Sequence, residues 1–272
     1  MRDIAGKTAF ITGGASGIGL AMGRAFAEAG ARVVLADIET AALDKAVAGF
    51  TGNLPEVRGV QCDVADYASV ERAAQAATDA FGKVHIVCNN AGVSGTFGAE
   101  AINLKDWRWV LDINLMGVVH GVRAFLPLIK SHGEGGHIVN TASMAGFLPG
   151  VGFSAYTASK AAVVGLSEAL ALELAPQGIG VSVLCPGWVN TAIIDSRRNW
   201  PKEYGPPPPP ATGAIAERAA ALVRSGMEPS RVGAFVVDAV RNNQVYIFTH
   251  PEMRPMLEER VNGFLGAYRK LG

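Results

Sequence analysis

The stretch Thr8-Ala9-Phe10-Ile11-Thr12-Gly13-Gly14-Ala15-Ser16-Gly17-Ile18-Gly19 decides the fold. Residues 8–12 form a short run rich in apolar and β-branched side chains, which predicts a buried strand. From residue 18 to 29 the apolar positions recur at helical spacing. Between the two, glycines 13, 17 and 19 let the backbone turn tightly and bring the N–H groups of the helix up to a pyrophosphate. Any strand-to-helix turn can use glycine. Placement between the first strand and the first helix is what makes this one an anion-site candidate.

Outward from that turn, strands are expected at residues 32–36, 57–62, 84–88, 137–141, 181–185 and 245–248. Helical periodicity covers residues 67–81, 107–129 and 155–174. Strands spaced by helices call for parallel pairing with right-handed crossovers. The expected fold class is therefore α/β: a doubly wound parallel sheet with helices on both faces, forming a single domain over residues 1–272. The sequence shows no repeat, second core or charged linker.

Of the 272 residues 49% are hydrophobic and 18% charged, enough to bury a sizeable core and to exclude a disordered chain. Lys+Arg and Asp+Glu both total 24, which excludes the basic footprint of a nucleic-acid binder. Cys62, Cys88 and Cys185 form no CxxC pair and sit in or beside apolar runs, as reduced core thiols of a cytoplasmic protein would. Residues 1–7 carry no apolar signal region. The uncharged run 174–194 is broken by Pro176, Gly178, Gly180, Pro186 and Gly187, so no membrane span is expected there.

One compositional break occurs, at residues 190–213. It holds Trp200, Pro201 and the proline run 206–210, which excludes helix and favours extended polyproline. The break follows a strand's C-terminal end, where open α/β sheets bind ligands. A substrate lid over about residues 190–226 is expected, the other reading being a solvated excursion.

Asp37 ends the second strand, where a carboxylate reaches the adenosine ribose and repels a 2′-phosphate. Ile38 follows, and the glycine turn holds no Arg or Lys, which favours NAD over NADP. A surface Asp capping the helix near Thr40 is the alternative. Asp63 follows the third strand, and Asn89-Asn90-Ala91-Gly92 follows the fourth, facing the same crevice.

Tyr156 and Lys160 are four apart on a helix, so both emerge on one face. Alone, such a pair is an ordinary surface contact. Ser143 lies just beyond the strand 137–141, and Asn114 sits within the stretch 107–129. Oxidising a secondary alcohol removes a hydride and the hydroxyl proton, so a base must meet the substrate oxygen. Tyrosine, with a pKa of about 10, is ionised in only roughly one molecule in a thousand at neutral pH. A nearby ammonium and a positive nicotinamide both favour the phenolate, and lowering its pKa by about three units takes roughly 4 kcal/mol. Tyr156 could then serve as general base or acid, Ser143 could bond the substrate oxygen, and Lys160 could also hold the nicotinamide ribose.

Taken together, Thr12-Gly13-x-x-x-Gly17-x-Gly19, Asp63, Asn89-Asn90-Ala91-Gly92, Asn114, Ser143, Tyr156-x-x-x-Lys160, and Pro186-Gly187 with Thr191 resemble the short-chain dehydrogenase/reductase family across nearly the whole chain. The resemblance implies a Rossmann fold with seven parallel strands and a catalytic tetrad of Asn114, Ser143, Tyr156 and Lys160. The residue matching Asn114 opens its helix in that family and holds a water that passes protons to the lysine. Cofactor contacts are implied at Gly13, Ser16, Gly17, Ile18, Gly19, Asp37, Ile38, Cys62, Asp63, Val64, Asn90, Ala91, Gly92, Tyr156, Lys160, Pro186, Gly187, Val189 and Thr191. Homotetramers or dimers, built on the helices matched by 107–129 and 155–174, are also implied.

By position beside these motifs, the expected substrate pocket comprises Ser94, Ser143, Phe153, Tyr156, Trp188 and Ile193, with Val93, Phe97, Leu148 and Ile194 as further candidates. Their apolar character suits a bulky aromatic or alicyclic alcohol or ketone, although core packing explains each equally. Arg197-Arg198 could attract an anion or could simply be solvated. Residues 246–272 add a final helix similar to tails of some family members acting on large aryl alcohols. Two alternatives stand: an NADPH-preferring ketoacyl-type reductase, which the lid and Asp37 oppose, and a non-catalytic NAD-binding sensor, which the retained tyrosine and lysine oppose. No metal site is expected.

Overall fold

Strand β1 (Thr8–Thr12) is buried at all positions and alternates its side chains between two cores. Ala9 and Ile11 face one layer and Phe10 the other, as the two-residue period of a strand requires. The computed structural model describes residues 1–95, 102–209 and 212–269. Among these, β1 pairs with β2 (Arg32–Asp37) and β4 (Ile86–Asn89). The sheet is completed by β3 (Val57–Gln61), β5 (Gly136–Thr141), β6 (Ile179–Cys185) and β7 (Tyr246–Phe248). All seven strands run parallel in the order β3-β2-β1-β4-β5-β6-β7. The chain reverses direction across the sheet between β1 and β4, opening a crevice at their C-terminal ends.

One face is covered by α1 (Gly17–Glu28) and α8 (Pro229–Asn242), which bury Met22, Phe26, Val232 and Val236 against Ile11 and Leu35. α2 (Thr40–Ala48) adds Leu43 to the same layer. The other face carries α3 (Tyr67–Phe81), α5 (Gly117–Ser131) and α6 (Ser154–Leu174). There Phe125 packs on Phe10 with ring centres 4.3 Å apart. The architecture is the expected single-domain, doubly wound sheet.

The helix expected over 107–129 is α4 (Leu104–Leu111) and α5 joined through a π-helical turn, Asp112–Met116. By length and composition the run Leu104–Ser131 could cross a membrane. Its Val118, Phe125 and Ile129 are buried against other parts of the protein, as in a core helix. The uncharged run 174–194 is the end of α6, a 3₁₀ turn, β6 and the loop that follows it into the 3₁₀ segment starting at Ala192. Cys62, Cys88 and Cys185 are free and buried. Burial pushes the thiols up, to about 11 for Cys62 and about 12 for Cys185, so none is a ready thiolate.

Residues 190–213 differ from the expected extended polyproline, and the segment to 226 is largely folded. They form 3₁₀ segments at Ala192–Asn199 and Lys202–Tyr204, then α7 (Ala214–Arg224); within the described part of the proline run, 206–209, there is no helix. Trp200 explains the difference. Its buried ring meets Trp109 edge-on at 5.2 Å and Tyr204 at 5.6 Å, and its Nε1–H donates to Gly205 O at 3.2 Å. The excursion leaves and returns at one neck, where Met227 N–H donates to Trp188 O (2.9 Å) and Asn190 N–H to Met227 O (3.0 Å). A final helix, α9 (Arg254–Tyr268), follows β7.

Candidate active site

A cavity of about 1210 Å³ opens at the C-terminal edge of the sheet. It runs from Gly13 and Asp37, past Asn90 and Gly92, to Ser143, Tyr156 and Trp188. An ordinary single-ligand cleft holds about 300–1,000 Å³, so this one has room for a dinucleotide and a second molecule.

The dinucleotide half is built on the glycine turn. Gly13 has φ +64°, a left-handed conformation that favours glycine. A Cβ on Gly19 would lie 2.0 Å from Gly13 O, so the turn and the first turn of α1 can touch only without one. Ser16, Gly17 and Ile18 line the cavity at the α1 N-terminus, while Gly19 and Asn114 are outside its wall. Asp37 lines it too. Its Oδ2 accepts from Ala15 N–H at 3.0 Å and its Oδ1 from Glu39 N–H at 3.1 Å, so it braces the glycine turn, and Glu39 rather than Asp37 is the N-cap of α2. Asp63 accepts from Ala65 N–H at 2.9 Å, and Asp66 caps α3. Ile38, Cys62 and Val64 complete this wall.

Asn90 ties three strand ends together. Its N–H donates to Thr12 Oγ1 (2.8 Å), its Nδ2 to Thr12 O (2.9 Å), and its Oδ1 accepts from Thr141 Oγ1 (3.2 Å). Ala91 N–H also donates to Thr12 Oγ1, at 3.0 Å. Pro186, Gly187, Val189 and Thr191 face this half from the exit of β6.

In the other half, Tyr156 and Lys160 project from α6 and Ser143 follows β5. The Ser143 side chain neighbours the Tyr156 hydroxyl and favours its ionised form. The Ser143 Oγ also lies 3.4 Å from Pro186 O and accepts from Ala145 N–H at 3.1 Å. The buried Lys160 Nζ donates to Thr141 O at 2.8 Å and stands 5.6 Å from the centre of the Tyr156 ring. Burial pushes the ammonium down to about 8. In the protein alone, burial also raises the Tyr156 hydroxyl, against the pull of Ser143. Asn114 sits in the π-turn behind Gly92. Its Oδ1 accepts from Val93 N–H (2.8 Å), and its Nδ2 donates to Val93 O (3.0 Å) and Ser159 Oγ (3.1 Å). A Cβ on Gly92 would be 3.2 Å from Asn114 Oδ1 and 3.5 Å from Lys160 Nζ, so only glycine leaves this corner open.

Val93, Ser94, Leu148, Phe153, Trp188, Ile193 and Ile194 all line the remaining space. Phe153 stands edge-on to Trp188 at 6.4 Å and to Tyr156 at 6.5 Å. Phe97 lies outside the described residues. Trp200 and Leu222 line the cavity from the segment expected to be a lid, whereas Met253 and Met256, which also line it, were not expected there. The tail's apolar residues were the only signal for the two methionines.

The short chain dehydrogenase family model matches residues 7–202. The chain belongs to the short-chain dehydrogenase family. It is 34% identical over 271 residues to the C alpha-dehydrogenase of Sphingobium sp. strain SYK-6, covering 97% of this chain and 87% of that one. It is 37% identical over 190 residues to the 2,5-dichloro-2,5-cyclohexadiene-1,4-diol dehydrogenase of Sphingobium indicum, covering 70% and 76% respectively. Among solved structures, a Burkholderia phymatum short chain dehydrogenase/reductase in complex with NAD superimposes with TM-score 0.89 at 39% identity, covering 95% of this chain and 94% of that one. As a short-chain dehydrogenase, the protein is an oxidoreductase of CH–OH groups that uses a nicotinamide cofactor. The glycine turn, whose close approach at Gly19 forbids a Cβ, and the long cavity beside it fit such a dinucleotide.

Proposed function

We propose that the protein interconverts a secondary alcohol and a ketone with NAD, on a bulky aromatic or alicyclic substrate. The observation that carries this reading is the convergence of Ser143, Tyr156 and Lys160 on the wall of one largely apolar cavity, with Lys160 Nζ 5.6 Å from the centre of the tyrosine ring.

The bound nicotinamide supplies the hydride acceptor or donor and, when oxidised, a positive charge. Tyr156 takes the hydroxyl proton at its phenolic oxygen in oxidation and returns it in reduction. Ser143 Oγ holds the substrate oxygen beside it. Lys160, still largely an ammonium at neutral pH with its pKa near 8, is the chain's own cation favouring the phenolate. Asn114 contributes through the π-turn that opens its helix beside Gly92 and Lys160. Phe153, Trp188, Ile193 and Ser94 select the substrate, and residues 190–226 act as its lid. The cyclohexadiene-diol named for the S. indicum relative is a ring alcohol of the class this wall suits.

The NAD preference rests on Asp37, with Glu39 as a second carboxylate on the cavity wall and the nearby Arg198 committed to Glu39. A 2′-phosphate would meet the Asp37 carboxylate, with the Glu39 charge already paired to Arg198. The same feature opposes the NADPH-dependent ketoacyl-type alternative, and the presence of Tyr156 and Lys160 opposes a mere sensor. Buried free thiols suit a reducing cytoplasm. An apolar groove lined by Val119, Val122, Leu126 and Leu166 suits self-association through α5 and α6. A Tyr156→Phe protein is expected to bind NADH normally, read by fluorescence titration, and to lose turnover. Turnover at the parent rate would overturn the reading.

A further inference from the structure

His250 follows β7, far in sequence from every motif of the active site, and its ring is buried at 7% exposure. The β6–β7 ladder ends with Cys185 paired to Phe248, and Pro186, which has no N–H, comes next. Beyond that point the imidazole takes over from the strand. Gly187 N–H donates to its Nδ1 at 3.1 Å, and Thr249 Oγ1 lies 2.7 Å from the same nitrogen. Nδ1 is therefore the acceptor, and the proton sits on Nε2, which donates to Trp188 O at 3.0 Å. One ring thus clamps both ends of the Gly187-Trp188 unit.

The fit requires glycine at position 187. A Cβ there would lie 2.8 Å from His250 Cγ and 2.7 Å from Met253 Cε. From another element, Met227 N–H donates to the same Trp188 carbonyl at 2.9 Å, and a Cβ on Gly226 would sit 2.6 Å from that oxygen. The Trp188 backbone is held by two donors, one on the tail and one at the neck of the 190–226 excursion. Its indole meets Phe153 on the cavity wall.

We propose that His250 is a positioning residue for substrate selection: through Gly187 and Trp188 it fixes the aromatic wall of the cavity and the neck of the lid. The substrate part of this inference rests on the function proposed above. His250 itself is not among the cavity's lining residues. A bulky ring substrate needs the Trp188 wall in one place, whereas a small alcohol does not.

Three variants dissect the clamp. His250→Asn keeps an acceptor near the Nδ1 position, His250→Gln keeps a donor near Nε2, and His250→Leu keeps neither. Hydrogen exchange by mass spectrometry over residues 186–190 reads the clamp without any turnover. Losing one net hydrogen bond is worth about a tenfold change. In His250→Leu, exchange at 186–190 is expected to quicken about tenfold, with peptides from β1 and β4 unchanged. For a bulky ring alcohol, KM is expected to rise about tenfold, with kcat and the NADH Kd within about threefold of the parent. His250→Gln, which keeps the Trp188 bond, is expected to restore KM, and His250→Asn is not.

Unchanged exchange at 186–190 in His250→Leu would overturn the clamp. Unchanged KM for the bulky substrate, or an equal loss for small and bulky alcohols, would overturn its role in selection. Exchange quickened across the whole sheet would reduce His250 to a fold-stabilising residue and overturn the proposal as well. A parent protein inactive on every alcohol would defeat the functional reading, and the exchange result would still decide the clamp.

Discussion

Arg198 and Glu39 join residues 190–226 to the cofactor half of the cavity. Arg198 Nε donates to Glu39 Oε1 at 2.9 Å, its Nη2 lies 2.7 Å from the same oxygen, and Asn199 Nδ2 donates there at 2.9 Å. These hydrogen bonds hold the Glu39 carboxyl below its usual range. Glu39 stands two residues beyond Asp37, so a segment expected to cover substrate is also fastened beside Asp37. The adjacent Arg197 is equally occupied, donating to the carbonyls of Pro208 (3.3 Å) and Pro209. Neither arginine is simply solvated.

If that fastening closes the cavity, Glu39→Gln and Arg198→Gln should each release NADH about two- to fivefold faster in stopped-flow fluorescence, the scale of a partly exposed pair. Such a pair is worth at most about 1 kcal/mol, so the melting temperature should move little. The double variant should resemble either single one. Additive effects would mean that the two residues act separately.

Removing the Tyr156 hydroxyl should lower kcat/KM by about 10²–10⁴, the usual contribution of general acid–base catalysis. In the protein alone Tyr156 is raised by burial, so the rate of alcohol oxidation should climb from neutral into alkaline pH. Lys160→Met should move that rise to higher pH, because the ammonium favours the phenolate. A profile at the same position in both proteins would remove Lys160 from this role.

Changing Asp37 tests the cofactor assignment, and the structure adds a cost to it. Asp37→Ala removes the 2′-phosphate repulsion but also the bond from Ala15 N–H that braces the glycine turn, along with the one from Glu39 N–H. Affinity for NAD should fall by about tenfold, the worth of one net hydrogen bond, and the NAD-to-NADP ratio of Kd values should narrow. Titration calorimetry with both dinucleotides measures this. An unchanged ratio would place the ribose elsewhere.

Stability should fall at mildly acidic pH because of His137. Ser182 Oγ–H donates to Gln244 O (2.6 Å), so Ser182 accepts from His137 Nε2–H (2.7 Å) and the buried ring is neutral. Burial pushes its pKa down to about 3, against 6.5 for an ordinary histidine. A depressed histidine is fully stabilising above pH 6.5. The unfolded chain takes up the proton first as the pH falls, and stability is lost from there towards pH 3. Between pH 6.5 and 5 the loss should be about 2 kcal/mol from this group alone. His85, also lowered by burial and accepting from Thr8 N–H at 3.2 Å, adds in the same direction. Urea midpoints that stay flat from pH 7 to 5 would contradict this.

What the sequence revealed and what it hid have a common physical basis. The strands expected at 8–12 and 137–141 appear within a residue of those bounds, because β-branched runs and glycine turns act locally. The glycine turn, Asn90 and the Tyr156–Lys160 pair were legible because each is a short motif on a definite element. Three features were not. The π-turn at Asn114 leaves the helical period of 107–129 intact on average, so periodicity does not mark it and only the family resemblance implied that the helix opens there. Residues 190–213 read as an extended excursion because of the proline run 206–210, but the Trp200–Trp109 packing that folds their first part joins positions 91 apart. His250 and Glu39 matter through partners 63 and 159 residues away, at Gly187 and Arg198, which no local pattern in the sequence marks.

The most direct test of the central claim is the initial rate at 340 nm on a panel of ring-bearing and small secondary alcohols, each with NAD and with NADP, and the matching ketones in reverse. Turnover with NAD on the bulky ring alcohols, well above that with NADP and above that on the small alcohols, is the expected result. Normal NADH binding with no turnover across the panel, or a strong preference for NADPH, would contradict it.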